Sequence, residues 1–220
     1  GSMKHAFLLV FLTTIIFAGE EPDSLGNALP MEPTRTVSFT TDEGTWLSLD
    51  ISPEGKTIVF ELLGDLYTLP IRGGKATRIT SGMAFDSQPA YSPGGDWIAF
   101  LSDRDGAENL WIARADGSEP KQLSKDTNNS FASPTWTPDG DYIVASKGQT
   151  RLGVVNLWMV HTDGGAGRAL ISEDNGLKTV GAAVSTDGRY VWHAVKNGRA
   201  WDYNAQFPQY QLAIYDRETG

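Results

Sequence analysis

"YSPGGDWIAFLSDRDGAENLWI" occupies Tyr91–Ile112, and nearly the same phrase occurs four times in a chain of 220 residues. It opens on the turn Ser92-Pro93-Gly94-Gly95. The same pattern returns as Ser52-Pro53-Glu54-Gly55, Thr137-Pro138-Asp139-Gly140 and Ser185-Thr186-Asp187-Gly188, with first residues 40, 45 and 48 positions apart. Proline presets φ for the second position of a type I turn, Ser or Thr suits the first, and Gly the fourth.

Around each turn the flanking residues repeat as well. A short strand precedes it ("WLSLDI", "QPAY", "SPTW", "GAAV"), and an alternating run follows ("TIVFEL", "WIAFLS", "YIVAS", "YVWHAV"). A third strand comes next, as "DLYTLPI", "NLWIARA", "NLWMVHT" or "QLAIYDR". Gly73-Gly74, Asp116-Gly117 and Asp163-Gly164 are hairpin signals leading to a fourth, "ATRIT", "PKQLS" or "RALIS". Four antiparallel strands per unit, at a period of this length, predict an all-β β-propeller of about four four-stranded blades. Blades bury their faces only by stacking on neighbours. "RTVSFTT" (Arg35–Thr41) reads as an extra strand and the last unit stops at Thr219-Gly220. The expectation is therefore a portion of a larger propeller of six or more blades, with open blade edges through which copies associate.

Bulk properties narrow the function. The net charge is −9, and no Lys/Arg cluster supplies the basic patch that nucleic acid requires. With no cysteine, disulfides, thiolate metal sites and Cys nucleophiles are excluded. Gly1 and Ser2 read as an expression scar ahead of Met3. "AFLLVFLTTIIFA" (Ala6–Ala18) is too short to span a membrane and reads as a signal peptide, so the expected location is periplasmic or secreted, with no membrane span after cleavage. The expected layout is scar plus signal peptide over 1–19, a flexible lead-in over 20–33, and the propeller over 34–220.

The repeats resemble the TolB-type (WD40-like, PD40) propeller family, carried by "SPEGKTIVF", "SPGGDWIAFLSDRDGAENLWIARADGSEPKQLS" and "TPDGDYIVAS…NLWMVHTDGG". "RTVSFTTDEGTWLSLDISPEGKTIVFELLGDLYTLPIRGGKATRIT" and "NAQFPQYQLAIYDRETG" are similar to the N-terminal propeller of secreted amidohydrolase-family proteins. That resemblance implies a downstream metal-dependent catalytic domain whose site begins with His-x-His. Here the histidines are His5, His161 and His193, with no such pair. The resemblance thus implies a non-catalytic module, without catalytic residue, metal or cofactor of its own, that docks a downstream catalytic domain or shapes access to it. The alternative it leaves open is a periplasmic protein–protein binding module of the Tol envelope system.

No Gly-x-Ser-x-Gly elbow and no phosphate-binding glycine loop is present. "DRDG" (Asp103–Gly106) departs from an EF-hand loop, with glycine at the fourth place and Arg114 at the twelfth, and reads as a turn. His161 and His193 read as packing or surface strand positions, and Trp111 and Trp158 as wedges between blades. The loop "KNGRAWDYNAQFPQYQ" (Lys196–Gln211) is unusually long and aromatic. It is expected to share one face with the inter-blade connections, and Phe85, Asp86, Phe131, Arg151, Trp201 and Tyr203 are the candidate binding residues there.

Overall fold

The computed structural model describes residues 35, 37–149, 155–171, 178–196 and 210–220. They form four antiparallel sheets and no helix. Blade 1 comprises β1 (Leu49–Ile51), β2 (Thr57–Leu62), β3 (Asp65–Pro70) and β4 (Thr77–Arg78). Blade 2 comprises β5 (Asp86–Tyr91), β6 (Trp97–Ser102), β7 (Asn109–Arg114) and β8 (Lys121–Gln122). Blade 3 comprises β9 (Asn129–Trp136), β10 (Tyr142–Gln149), β11 (Val155–His161) and β12 (Arg168–Ala169). Blade 4 contributes β13 (Thr179–Val184), β14 (Tyr190–Lys196) and β15 (Tyr210–Asp216). Each sheet is a meander, and the first strands touch one another in sequence (β1 with β5, β5 with β9, β9 with β13), so they line the inside of the fan.

The repeated turn is one hydrogen-bonded device. Gly55, Gly95, Gly140 and Gly188 donate N–H to the carbonyls of Ser52, Ser92, Thr137 and Ser185 at 2.7–2.9 Å. The same hydroxyls accept the N–H five residues on, from Thr57, Trp97, Tyr142 and Tyr190, which sets the register of the following strand. Glycine is required because φ there is +69 to +79°, a left-handed conformation costly for residues with a Cβ.

Alternation then sends successive side chains to opposite blade faces. Ile98 and Phe100 of β6, with Trp111 and Ala113 of β7, pack on Val59 and Leu66 of blade 1. Their neighbours Ala99, Leu101, Leu110 and Ile112 pack the other way, on Phe131, Trp136 and Ile143 of blade 3. Val144 and Leu157 meet Val191 of blade 4. Trp111 is a buried wedge between blades; Trp158 is only half-buried, with Lys147 Nζ 4.1 Å above its ring.

The inner strands hold a second repeating feature. Pairing slips in β5, β9 and β13 at Gln88, Ser133 and Gly181, whose φ values are +51, +52 and +69°. These are β-bulges. Each bulge turns its N–H to a side chain: Gln88 donates to Glu61 Oε2 at 2.6 Å, Ser133 to Gln88 Oε1 at 2.7 Å, and Gly181 to Ser146 Oγ at 3.4 Å. In every case the acceptor belongs to the preceding blade. Glu61 and Ser146 lie at equal distance past their turns. The matching residue of blade 2 is the apolar Leu101, and there the bulge residue Gln88 itself reaches forward.

Two expectations need correction. Arg35–Thr41 is not a strand in its described residues. Val37–Thr41 is exposed and unpaired, because blade 1 already has its four strands and offers this segment no ladder. The segment instead runs beside the outer face of blade 1, where Val37, Phe39 and Leu47 line a groove of about 1130 Å³ over Ile58, Phe60 and Tyr67. The strand expected from Trp46 starts at Leu49, since Trp46 has φ +60° and is 97% exposed. Across the fan, Trp192, Leu212 and Ile214 share the outer face of blade 4 and are exposed.

Two measurements follow. A Cβ on Gly117, at φ +85°, would overlap the Ile79 carbonyl of blade 1. Gly117→Ala is expected to lower unfolding free energy by at least about 1–2 kcal/mol in denaturant titration. Leu212→Asp, on the open face of blade 4, is expected to reduce self-association in light scattering while leaving the melting temperature within a few degrees of wild type.

Candidate functional site

One rim of the fan carries the turns between second and third strands together with the inter-blade connections. Blade 1 contributes the Leu63-Gly64 turn, blade 2 contributes Asp103–Glu108, and Ser81–Phe85 connects them. They are fastened to one another: Asp86 N–H donates to the Gly64 carbonyl at 2.8 Å, and Phe85 N–H to Asp103 Oδ1 at 2.7 Å.

Behind this surface lies a charge pair. Arg104 Nη2 sits 2.7 Å from both Asp86 oxygens, and its Nε donates to Ser102 Oγ. Asp86 is fully buried. The guanidinium lies about 5 Å from the rings of Phe100 and Trp111, so its apolar faces are covered while its edges are bonded. The "DRDG" stretch is a turn, closed by Gly106 N–H on the Asp103 carbonyl.

A second polar knot ties blade 2 to blade 3. Asn109 is buried; its amide donates to Asp105 and the Asp126 carbonyl, and its Oδ1 accepts from Ser124 Oγ and Asp126 N–H. Gln122 also bonds Asp105. Asp126 in turn receives Lys147 Nζ at 2.8 Å, the Asn129 amide, and the N–H groups of Asn128 and Asn129. Burial alone would raise the Asp126 carboxyl, but Lys147 and these donors outweigh it and hold it far below the usual carboxylate range. Glu108 goes the other way, pushed up by burial and by Asp103 against hydrogen bonds from Phe131 and Ser130.

Of the six candidate residues, the structure places three. Phe85 is 56% exposed on this rim. Asp86 and Phe131 do not present contacts to a partner: Asp86 is enclosed with Arg104, and Phe131 sits in the core between blades 2 and 3. Both precede a bulge within their strand rather than lying in a loop. Arg151, Trp201 and Tyr203, with most of the aromatic loop, lie outside the described residues. His161 is half exposed, accepting Asp163 N–H and meeting Tyr142 edge-on; His193 is buried against the Val191 carbonyl. Among the described residues no three His, Asp or Glu side chains gather to hold a metal ion. The sequence reading did not find Leu63, 78% exposed beside Phe85. Its only signal is a leucine before glycine in a two-residue hairpin, where Asn or Asp is usual.

The family described as Tricorn protease N-terminal beta propeller domain matches residues 29–210. Among curated proteins, an uncharacterized protein of Agrobacterium fabrum is 34% identical over 97 residues, 42% of this chain and 33% of that protein. Tricorn protease homolog 1 of Streptomyces coelicolor is 30% identical over 94 residues, 43% of this chain and 9% of that protein. The chain thus spans a third or less of the length of these relatives. Two solved structures share the fold. A putative TolB from Agrobacterium tumefaciens has a TM-score of 0.60 at 20% identity, covering 77% of this chain and 60% of that one. A Mycobacterium tuberculosis puromycin-hydrolyzing peptidase has a TM-score of 0.59 at 19% identity, covering 78% and 30%.

The Asp126 knot yields a pH prediction. A carboxyl with a depressed folded pKa contributes stability that is present above its unfolded pKa of about 4 and is lost as pH falls toward the folded value. Asp126→Asn is expected to cost about 1–3 kcal/mol at neutral pH, and the gap to wild type should narrow steadily below about pH 4. A constant gap from pH 7 to 2, in denaturant titrations, would refute the assignment.

Proposed function

The chain belongs to the Tricorn N-terminal β-propeller family, and from that premise we propose that it is the recognition module of an exported hydrolase, docking or shaping access to a catalytic domain. One observation carries this reading. Among the described residues, three carboxylates of the rim are engaged with the chain's own groups: Asp86 with Arg104, Asp105 with Asn109 and Gln122, Asp126 with Lys147 and Asn129. Leu63, Met83 and Phe85, at the Leu63-Gly64 turn and its connection, are exposed apolar side chains. Acid–base or metal chemistry needs the reverse arrangement, with titratable groups free to face a substrate. Contact with a partner suits what is present.

The hydrolase assignment draws on the resemblance of "RTVSFTTDEGTWLSLDISPEGKTIVF" and "NAQFPQYQLAIYDRETG" to amidohydrolase-associated propellers. Peptidase-related names among the similar proteins agree with it. In that reading any catalytic metal belongs to the downstream domain. Export rests on Ala6–Ala18, which lies outside the described residues; among those described, no helix is long and apolar enough to cross a membrane. The second reading, a Tol-type envelope binding module, is favoured by the likeness of fold to the putative TolB.

The coding sequence after Gly220 separates the two. A His-x-His on a strand that opens a barrel supports the hydrolase; two further blades followed by a stop codon support the envelope module. The isolated polypeptide is expected to hydrolyse no amide or peptide substrate, with or without added divalent metal. Turnover above the blank that co-purifies with this chain contradicts the recognition reading.

A further inference from the structure

Both ends of the fan carry apolar faces that the described residues leave open, and the internal junctions show what covers such a face. Where blade 2 meets blade 3, Ala99, Leu101, Leu110 and Ile112 lie on the side of blade 2 turned toward the next blade. Trp136, Ile143 and Ala145 lie on the side of blade 3 turned toward the preceding one. The first set has a fixed register, with Ala99 paired to Ile112 and Leu101 to Leu110.

Blade 4 repeats that first set. Counted from the Ser that opens each turn, Trp192 and Ala194 stand where Ala99 and Leu101 stand in blade 2. They pair with Ile214 and Leu212 in the same register. Leu110 and Ile112 are buried, but their counterparts Leu212 and Ile214 are 74% and 50% exposed.

Blade 1 repeats the second set. Ile51 stands where Trp136 does, Ile58 where Ile143 does and Phe60 where Ala145 does. Ile51 is 48% exposed, and Ile58 and Phe60 lie under the groove beside Val37–Thr41. The two open faces are therefore the two halves of one junction, carried at opposite ends of the fan.

This junction lacks the polar peg of the others. The acceptor position of Glu61 and Ser146 is Ala194 in blade 4. In blade 1 the counterpart of the bulge residues is Ser48, whose hydroxyl donates to Glu61 of its own blade at 2.8 Å. Contact between the faces rests on apolar burial, so it is reversible and depends on concentration.

We propose that the outer face of blade 4 docks on the outer face of blade 1 of a second copy of this chain, head to tail. Two fans of four blades joined at both ends make a ring of eight, the upper end of the roughly 4–8 blades that propellers use. The contact is independent of the recognition reading, which concerns the rim rather than these faces.

The test is complementation between two variants that each spoil one face, Ile51→Asp on blade 1 and Leu212→Asp on blade 4. Both side chains are exposed in a single copy, so each variant is expected to keep the wild-type circular dichroism spectrum. In sedimentation velocity over about 1–100 μM, wild type should shift from one copy to two. Each variant alone should weaken that association at least about tenfold. An equimolar mixture should recover the two-copy species where either variant alone is single, because the sound blade 1 face of one meets the sound blade 4 face of the other. Pairing of like faces, or clustering of apolar surface without register, gives no such recovery. A wild type that stays single at about 100 μM overturns the proposal. So does association that survives either substitution unweakened, or a mixture no more associated than its components.

Discussion

Flank-to-flank burial of sheets is the interaction on which everything else depends. A four-stranded meander with apolar residues on both faces cannot bury itself. Blade 2 shows the solution: alternate residues of β6 and β7 divide between Val59 and Leu66 on one side and Phe131 and Ile143 on the other. Burying a side chain of that size is worth roughly 1.5–3 kcal/mol, so the junctions dominate the stability of the fan. The same rule explains the open ends. Blades 1 and 4 carry apolar outer faces built to the same pattern, and the described residues leave Leu49, Ile51, Leu212 and Ile214 exposed there.

Apolar burial is not directional, and the polar contacts supply register. At each junction a bulged inner strand passes one backbone N–H to the blade before it, to Glu61, Gln88 or Ser146. Asp50 accepts Tyr91 N–H, and Trp136 Nε1 donates to the Ala90 carbonyl, adding fixed points along the same inner seam. Toward the rim, the Asp86–Arg104 and Asp126–Lys147 pairs hold the connections. Those pairs use charges that a catalytic surface would expose. These polar groups are turned inward, and Leu63, Met83 and Phe85 are left facing the solvent at the Leu63-Gly64 turn and its connection.

Much of the fold was legible because turns and alternation are local. The runs "TIVFEL" and "WIAFLS" coincide with β2 and β6, and the Ser/Thr-x-x-Gly turns form as their chemistry dictates. The inner strands were legible only from the bulge onward: "QPAY", "SPTW" and "GAAV" begin at Gln88, Ser133 and Gly181, the bulge residues themselves. A bulge shifts the two-residue phase, so the residues before it no longer continue the alternation and read as loop. Asp86 and Phe131 were assigned to an exposed connection for that reason, although both lie in strands. Val37–Thr41 has a strand's composition, but a strand also needs a ladder partner, which composition does not report.

Hydrogen exchange at the bulge amides tests the account most directly. Resolved by NMR, the N–H of Gln88 and Ser133 should exchange as slowly as central-strand amides such as Phe100, although neither belongs to its own sheet's ladder. Glu61→Ala should release Gln88 and leave Ser133 protected. Exchange of both wild-type amides at the rate of an open loop would show that neighbouring blades are not joined in this way, and the fan described here would not stand.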